Sequence, residues 1–209
     1  MYNNNIKFNI DRAKRKLKYI YYKNYFSKRI LYSKPVTCDS SLPFEIHMLT
    51  NEKAVIESLW CLKTFYHFID LFPKIVIHDD GSLSDKAISI FQKHFEGVRV
   101  IRKIDSDQQM KEYLKNYEYS LKYQIDNYMP HSIKLFDFFY FSNSSLLALD
   151  SDILFFNKPI EVYKFLNQRI GFYMSDYRNS YSFSHEYIKE KFNFEISSKI
   201  NSGLFSFLA

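Results

Sequence analysis

Short apolar segments alternate with helical segments along residues 45–149, and this alternation restricts the fold more than any other feature of the sequence. Four segments have the length and composition of β-strands: 45–50 (EIHMLT), 74–78 (KIVIH), 98–103 (VRVIRK) and 145–149 (SLLAL). The segments between them carry apolar residues at spacings of three and four, as helices do. Strands that alternate with helices form a mainly parallel sheet with helices on its faces, so we predict an α/β fold.

Capping and breaking residues set the expected limits of the helices. Asn51 is suited to cap the first helix and Pro73 to end it, while Ser82 or Ser84 can cap the second. The inward faces are expected to consist of Val55, Leu59, Leu62, Tyr66 and Ile69 in the first helix, Ala87, Ile88, Phe91 and Phe95 in the second, and Ile133, Phe136 and Phe139 in a later one.

Polar residues follow three of the predicted strands directly. These are Thr50-Asn51, Asp79-Asp80 and Asp150-Ser151-Asp152. The carboxyl ends of parallel strands lie at one edge of a sheet, and ligands of open α/β sheets bind beyond that edge. The sequence therefore predicts one binding site to which all three segments contribute.

The two carboxylates of Asp150 and Asp152 lie between the apolar runs LLAL and ILFF. Hard divalent cations such as Mg²⁺ and Mn²⁺ take oxygen ligands and often need only one or two protein carboxylates together with substrate phosphates. A metal site is one interpretation of this pair. Two structural acids at the end of a strand are the other interpretation, because this short pattern has low specificity.

The longer stretch His131–Pro159 (HSIKLFDFFYFSNSSLLALDSDILFFNKP) gives the pair a context. This stretch resembles the glycogenin-like glycosyltransferases and related bacterial surface-polysaccharide sugar transferases of the GT-A fold. The matching features are Lys134-Leu135, the apolar strand, the Asp-x-Asp, the apolar residues that follow, Pro159 and, downstream, Asn201-Ser202-Gly203. The resemblance covers residues 44–209. It implies a Rossmann-like, nucleotide-sugar-binding domain and the transfer of a sugar from a nucleotide-diphospho-sugar, with a UDP-sugar favoured, to a glycan or lipid-linked acceptor.

The resemblance also implies roles for individual residues. Asp152 would be the main ligand of Mn²⁺ or Mg²⁺, Asp150 would share the metal or contact the ribose, and Lys134 would help to hold the diphosphate or the donor sugar. The remaining expected contacts to the nucleotide-sugar are Thr50, Asn51, Asp79, Asp80, Ser151, Asn201, Ser202 and Gly203, and Asp176 is a provisional catalytic residue.

One departure from the family pattern leaves other functions open. The family usually takes a further metal ligand, a histidine, from beyond the Asn-x-Gly strand, whereas this sequence ends six residues after Gly203 and His185 precedes that strand. We therefore expect a domain that is incomplete at its C-terminus. A nucleotide-binding protein without transferase activity is an alternative, and so is a haloacid-dehalogenase-type phosphatase, in which the first acid attacks phosphorus. The phosphatase fits less well because Leu154 occupies the position where those enzymes usually have Thr or Val.

The positive charge of the protein belongs to its N-terminal segment. Residues 1–35 contain ten Lys or Arg and one acid, a net +9, whereas the whole chain carries +6, so the remainder carries −3. This distribution argues against a general nucleic-acid-binding surface. We expect residues 1–43 to be a basic helical arm with a linker, whose residues 10–31 lie on an anionic membrane surface or pack on the domain. Two cysteines without metal-type spacing are typical of free thiols in the cytoplasm. With the basic arm on a membrane, the protein would be peripheral at the inner face of that membrane.

Overall fold

The computed structural model describes residues 2–39, 41–126, 129–179 and 181–208. The β-strands are β1 (Val36–Thr37), β2 (Phe44–Thr50), β3 (Lys74–Asp79), β4 (Phe95–Glu96), β5 (Arg99–Ile101), β6 (Ser145–Leu149), β7 (Phe172–Ser175) and β8 (Ile200–Phe207). The α-helices are α1 (Tyr2–Tyr21), α2 (Val55–Ile69), α3 (Asp85–His94), α4 (Lys103–Tyr113), α5 (Glu118–Leu121), α6 (His131–Leu135), α7 (Asp137–Tyr140), α8 (Ile160–Gln168) and α9 (His185–Phe192). Tighter or wider helical turns occupy Tyr22–Phe26, Ser27–Tyr32, Glu52–Ala54 and Lys122–Asp126.

The central sheet has the strand order β5-β3-β2-β6-β8-β7. Strands β5, β3, β2 and β6 are parallel, and β8 and β7 join antiparallel to this group. Helices flank the sheet, which confirms the predicted α/β class with a mainly parallel sheet. Strand β5 is shorter than predicted, because α4 already begins at Lys103. In this topology β2, β3, β5 and β6 all end at one edge, which we call the carboxyl edge.

Helix α2 packs against one face of the sheet with the stripe that its sequence predicts. Its five predicted inward residues are all buried, and they share a core with the apolar side chains of β2 and β3. Burying a large aliphatic or aromatic side chain contributes about 1.5–3 kcal/mol. Asn51 is the predicted cap: its side-chain oxygen accepts the N–H of Lys53 at 3.0 Å and of Ala54 at 3.1 Å. The helix ends at Ile69, before Pro73 is reached, because Asp70 adopts a left-handed conformation with φ of 57°.

Ser84, rather than Ser82, caps α3. Its hydroxyl accepts the N–H of Ala87 at 3.2 Å. Of its predicted inward side chains, Ala87 and Phe91 are buried and Ile88 is half-buried, while Phe95 is buried but lies in β4, because the helix ends at His94.

Helices α6 and α7 are separated at Phe136, and this break decides which aromatic side chain enters the core. Ile133 is buried, as predicted, and Phe138 is fully buried. Phe139 is 39% exposed, with its ring edge-on to the ring of Phe207. The prediction that Phe139 points inward was wrong, because it extended one helical period across the break.

A buried polar group lies on the sheet face beneath Phe138. The Nδ1 atom of His47 is 2.9 Å from Nε2 of His78, and an oxygen of Glu45 is 3.6 Å from the Arg99 guanidinium. Burial lowers the pKa of both histidines, so both rings are neutral near pH 7. The pKa of Glu45 is lowered to about 2, mainly by its interaction with His47.

The N-terminal arm is helical throughout residues 2–32, which agrees with the helix predicted over residues 10–31. Leu17 is 68% exposed and Tyr21 is 56% exposed, so this part of the arm does not pack on the domain. Packing starts further along the chain, where Ile30 is buried in the main core and the Trp60 indole N–H donates to the carbonyl oxygen of Ser27 at 2.8 Å. None of the described helices combines the length and the apolar run needed to span a bilayer.

Candidate active site at the carboxyl edge

Lys134 and Asp150 form an ion pair at the carboxyl edge of the sheet. Lys134 lies on α6, its side chain is 10% exposed, and its ammonium contacts Oδ1 of Asp150. The same ammonium donates to the carbonyl oxygen of Ser202 at 3.3 Å. A lysine buried to this degree is normally paired, and here one partner directly follows β6 and the other lies in β8. The pairing brings together two residues that the sequence places 16 positions apart.

The Asn201-Ser202-Gly203 segment of β8 lies against Asp150. The Asp150 N–H donates to the carbonyl oxygen of Gly203 at 2.8 Å, and the side-chain oxygen of Asn201 accepts the N–H of Gly203 at 2.7 Å. A Cβ atom at Gly203 would lie 2.9 Å from that Asn201 oxygen and 3.1 Å from Oδ2 of Asp150. Any side chain at this position would therefore displace the Asn201 amide and the Asp150 carboxylate, which accounts for the glycine of the motif.

Ser151 and Asp152 continue from Asp150 into an exposed turn. The Ile153 N–H donates to the carbonyl oxygen of Asp150 at 3.3 Å and closes this turn. The buried Cys61 thiol donates to the same oxygen at 3.3 Å, and its pKa is raised by burial and then by the charges of Asp150 and Asp152. The charges of both carboxylates therefore reach the same buried thiol, that of Cys61.

The donor chemistry of this region fits a hard divalent cation that completes its coordination with substrate and water. Asp150 and Asp152 supply carboxylate oxygens, which is the protein contribution that Mg²⁺ usually needs. Within the described ranges, no group of three or more His, Cys, Asp and Glu side chains has the arrangement of a metal site. His185 begins α9, after the turn that follows β7, and its ring contacts Tyr181.

The side chains of Thr50 and Asn51 make contacts within the domain. The Thr50 hydroxyl lies 2.6 Å from the Ser58 hydroxyl and is buried, while Asn51 caps the helical turn that leads into α2. Thr50 pairs with Asp79 in the parallel register of β2 and β3, so these two strands end side by side. The structure thus places both residues at the predicted edge, with their described hydrogen bonds directed inward.

The acidic turn after β3 is organised by its own side chains. Oδ1 of Asp79 accepts the N–H of Gly81 at 2.7 Å and of Leu83 at 3.0 Å. Oδ1 of Asp80 accepts the backbone N–H of Ser82 at 2.9 Å and its hydroxyl at 2.6 Å. These bonds hold a tight turn in which Gly81 has a φ of 99°, a conformation that favours glycine.

Beside this turn is a cavity of about 330 Å³ that the sequence pattern did not predict. Its polar lining comes from the acidic turn and from the start of α4, and comprises Asp79, Arg102, Lys103 and Asp107. The two basic residues were missed because the pattern assigned them to a strand at 98–103. Residues that follow a parallel strand lie at the carboxyl edge, and a shorter strand would have placed both of them there.

Asp176 follows β7, on the far side of β8 from Asp150. Its N–H donates to the carbonyl oxygen of Lys199 at 2.6 Å, and its carboxylate accepts the N–H of Tyr177 at 2.7 Å. Among the described residues, no hydrogen bond or ion pair joins it to Lys134 or Asp150. The structure brings together Lys134, Asp150, Asn201, Ser202 and Gly203, and it does not bring Asp176 into contact with them.

Comparisons with known proteins identify the fold. No protein-family model matches the sequence, and no curated protein sequence matches it either. The structure is similar to that of mouse xyloside xylosyltransferase 1 in its apo form, with a TM-score of 0.52 and 9% sequence identity over 83% of this chain and 67% of the other. The fold is therefore that of a glycosyltransferase, which agrees with the fold that the motifs predicted.

Proposed function

We propose that this protein transfers a sugar from a nucleotide-diphospho-sugar to an acceptor hydroxyl. The observation that carries the proposal is the convergence of Lys134, Asp150 and Gly203 at the carboxyl edge of a sheet with a glycosyltransferase fold. Ligands of open α/β sheets bind at this edge. A phosphatase is not favoured, because the similar solved structure is a glycosyltransferase.

In such a transfer the bond between the anomeric carbon and the diphosphate oxygen breaks, and its electron pair leaves with the diphosphate. The acceptor oxygen bonds to the anomeric carbon and loses its proton. Lys134 would hold the diphosphate, and the proposal is supported by its largely buried ammonium, which keeps a positive charge beside Asp150. A bound Mn²⁺ or Mg²⁺, held by Asp150 and Asp152, would add positive charge at the departing diphosphate.

The nucleoside would lie toward β3 and β5. The cavity beside the acidic turn is lined by Asp79, Arg102, Lys103 and Asp107, with Arg102 paired to Asp85 and Lys103 to Asp107, so its lining suits the polar groups of a nucleotide. Asp79 contributes by fixing the turn, since its Oδ1 is engaged by two backbone N–H groups. We favour a uridine nucleotide as the donor and a glycan or lipid-linked acceptor, with Asp176 retained as a candidate base for the acceptor hydroxyl.

Titration calorimetry with UDP, with and without Mn²⁺, tests the proposal directly. We expect the wild-type chain to bind UDP in a Mn²⁺-dependent manner and Asp152→Asn to lose that dependence, because the side chain becomes neutral. Asp70→Asn is the matched control: Asp70 is exposed beyond the end of α2, and asparagine tolerates its left-handed conformation.

Two further results separate this proposal from its alternatives. Slow Mn²⁺-dependent hydrolysis of a UDP-sugar by the wild-type chain, absent in Asp152→Asn, would distinguish a transferase from a protein that only binds nucleotide. Equal UDP affinity of the wild-type, Asp152→Asn and Asp70→Asn chains in the presence of Mn²⁺ would contradict the assignment of the metal ligands.

A further inference from the structure

An apolar groove of about 770 Å³ lies between the N-terminal arm and the Asp150-Ser151-Asp152 turn. Its size is within the range of 300–1,000 Å³ that is typical of ligand sites. One wall belongs to the arm, the floor to α2, and the other wall to the residues that follow Asp152. The apolar side chains that line it are Tyr19, Tyr22, Phe26, Ile56, Trp60, Phe68, Leu154, Phe155 and Phe156.

Both walls of the groove are attached to its floor. On the arm side, the Trp60 indole N–H donates to the carbonyl oxygen of Ser27 at 2.8 Å. On the other side, the Phe155 N–H donates to the Thr64 hydroxyl at 3.3 Å, and the Phe155 ring packs edge-on against Phe65. These contacts attach the Ser27 end of the arm wall and the Phe155 wall to the floor, so this part of the groove is formed in the folded chain before a ligand binds.

The walls nevertheless leave large apolar side chains uncovered. Phe156 is 75% exposed, Leu154 is 45% exposed and Phe26 is 44% exposed. A contiguous exposed apolar surface of this kind marks a site of interaction.

The polar groups of the groove indicate what kind of molecule would fill it. The Ser27 carbonyl accepts from Trp60, and the Thr64 hydroxyl bonds within α2 and to Phe155, so neither group is left for a peptide backbone; the charged residues of the lining are Lys23, Glu57 and Asp152. Burying an unpaired peptide group is costly, whereas a hydrocarbon chain requires no such partners. A second copy of this chain is disfavoured, because two arms that each belong to a segment of net charge +9 would repel one another.

Charge differs between the two sides of the groove. Lys23 is the basic residue of the lining and lies 5.9 Å from the ring centre of Tyr19. Lys18 lies 5.8 Å from the ring centre of the lining residue Tyr22, and Arg29 lies 5.1 Å from that of Phe26, so the arm side is basic. Ser151 and Asp152 line the opposite side, and Glu57 is the other acid of the lining. A molecule with a hydrocarbon chain and an anionic phosphate matches the groove and its basic side.

We propose that the groove binds the hydrocarbon chain of a lipid-phosphate-linked acceptor. The phosphate lies toward Lys23 and the arm, and the groove leads the glycan to Asp152, where the donor sugar would be. The inference rests on the proposed transferase function in naming the lipid as the acceptor, while the binding of the lipid itself can be tested independently.

Trp60 is the single tryptophan of the chain and lies in the floor of the groove, so its fluorescence reports occupancy. We would titrate the full chain with farnesyl phosphate below its aggregation concentration, with inorganic phosphate and a neutral detergent in parallel. We expect a saturable change with farnesyl phosphate and none with inorganic phosphate. Phe156→Asp should weaken binding by about tenfold or more, because it removes an aromatic side chain that the bound lipid would cover.

Phe192→Asp is the matched control, because Phe192 is 65% exposed on α9, away from the groove lining. It should bind farnesyl phosphate as the wild-type chain does. Leu154→Asn is a second groove variant, for use if Phe156→Asp alters the circular dichroism spectrum.

Four results would overturn the proposal: no saturable signal, equal weakening in the groove and control variants, equal affinity for the neutral detergent, or binding only to phosphatidylglycerol vesicles. The last would assign the surface to a membrane instead of one lipid. Titration of the same variants with UDP and Mn²⁺ separates the two proposals, since Phe156→Asp should leave that affinity unchanged. Farnesyl phosphate binding without UDP binding would support the lipid groove and contradict the transferase function.

Discussion

Replacing Asp137 by asparagine should stabilise the protein, and the gain should depend on pH. Asp137 begins α7, is 1% exposed, and its pKa is raised to about 6, chiefly by burial. The Ser106 hydroxyl donates to it at 2.9 Å and the Gln124 amide donates at 3.0 Å, and these bonds limit the shift without cancelling it. Ionised at pH 7, the buried carboxylate therefore weakens the fold.

The magnitude follows from the difference between the pKa values of the folded and unfolded chains. An unfolded aspartate has a pKa near 4, so a folded value of about 6 costs about 3 kcal/mol of unfolding free energy at pH 7. Asparagine has the same shape and remains neutral. Its oxygen can still accept the Ser106 hydroxyl, and reversal of the Gln124 amide lets the asparagine NH2 donate to Oε1 of Gln124, a buried oxygen without a hydrogen-bond partner among the described residues.

The sign of the pH dependence follows from the raised pKa. The contribution of Asp137 to stability is fully present below about pH 4, where the group is protonated in both states. It is lost as the pH rises through 6. Asp137→Asn should therefore exceed the wild-type chain by about 2–3 kcal/mol at pH 7.5, or about 5–10 °C in melting temperature, and equal it at pH 4.

Chemical denaturation followed by circular dichroism at pH 4, 5, 6 and 7.5 measures this difference. Asp105→Asn is the control, since Asp105 is exposed on α4, and we expect a change of less than about 0.5 kcal/mol there. Two results would contradict the reasoning: a stability difference between Asp137→Asn and wild type that does not change with pH, or a variant that is less stable than wild type at pH 7.5. Either would show that burial does not raise the pKa of the Asp137 carboxyl.

Three other perturbations test separate parts of the molecule. Gly203→Ala should weaken Mn²⁺-dependent UDP binding by about tenfold or more in calorimetry, because its Cβ would lie 3.1 Å from Oδ2 of Asp150. Gly171→Ala is the control and should bind UDP as the wild-type chain does, because its Cβ would lie no nearer than 3.6 Å to another residue. Equal UDP affinities of the two variants would contradict the close approach of Gly203 to Asp150. Burial lowers the pKa of His47 and His78, so these histidines take up protons in the unfolded chain at a higher pH than in the folded chain. The melting temperature of Asp137→Asn, which lacks the opposing effect of Asp137, should therefore fall as the pH drops below about 6.5. A melting temperature that stays constant over this range would refute the expectation. Changing the basic residues within 14–18 to glutamine should reduce sedimentation with phosphatidylglycerol vesicles at low salt, as should added salt in the wild type; identical sedimentation would leave the arm without a membrane role.

The arm cannot be tested by deleting residues 1–41, although the sequence suggested a boundary after residue 43. Ile30 is buried in the main core, and β1 pairs with β4. Such a deletion would remove core contacts as well as charge, which is why the charge change above is made in the full chain.

The sequence by itself determined the elements that depend on local pattern. Periodicity and capping, which act over a few residues, determine the residue spacing in α2, the Asn51 cap and the strands predicted to end at Thr50, His78 and Leu149, the second of which continues by one residue to Asp79. The general rule for parallel sheets then places Asp79 and Asp150 at one edge, since both residues come at the carboxyl ends of strands.

Only the tertiary structure decided which of these polar groups meet. The contact of Lys134 with the Ser202 carbonyl, and the approach of Gly203 to the Asp150 carboxylate, require β8 to lie antiparallel beside β6, and no local pattern specifies that neighbour. The groove floored by Trp60 likewise exists only because the arm returns to α2. Contacts between residues far apart in sequence depend on how whole elements pack, and the free energy of that packing is not contained in any single segment.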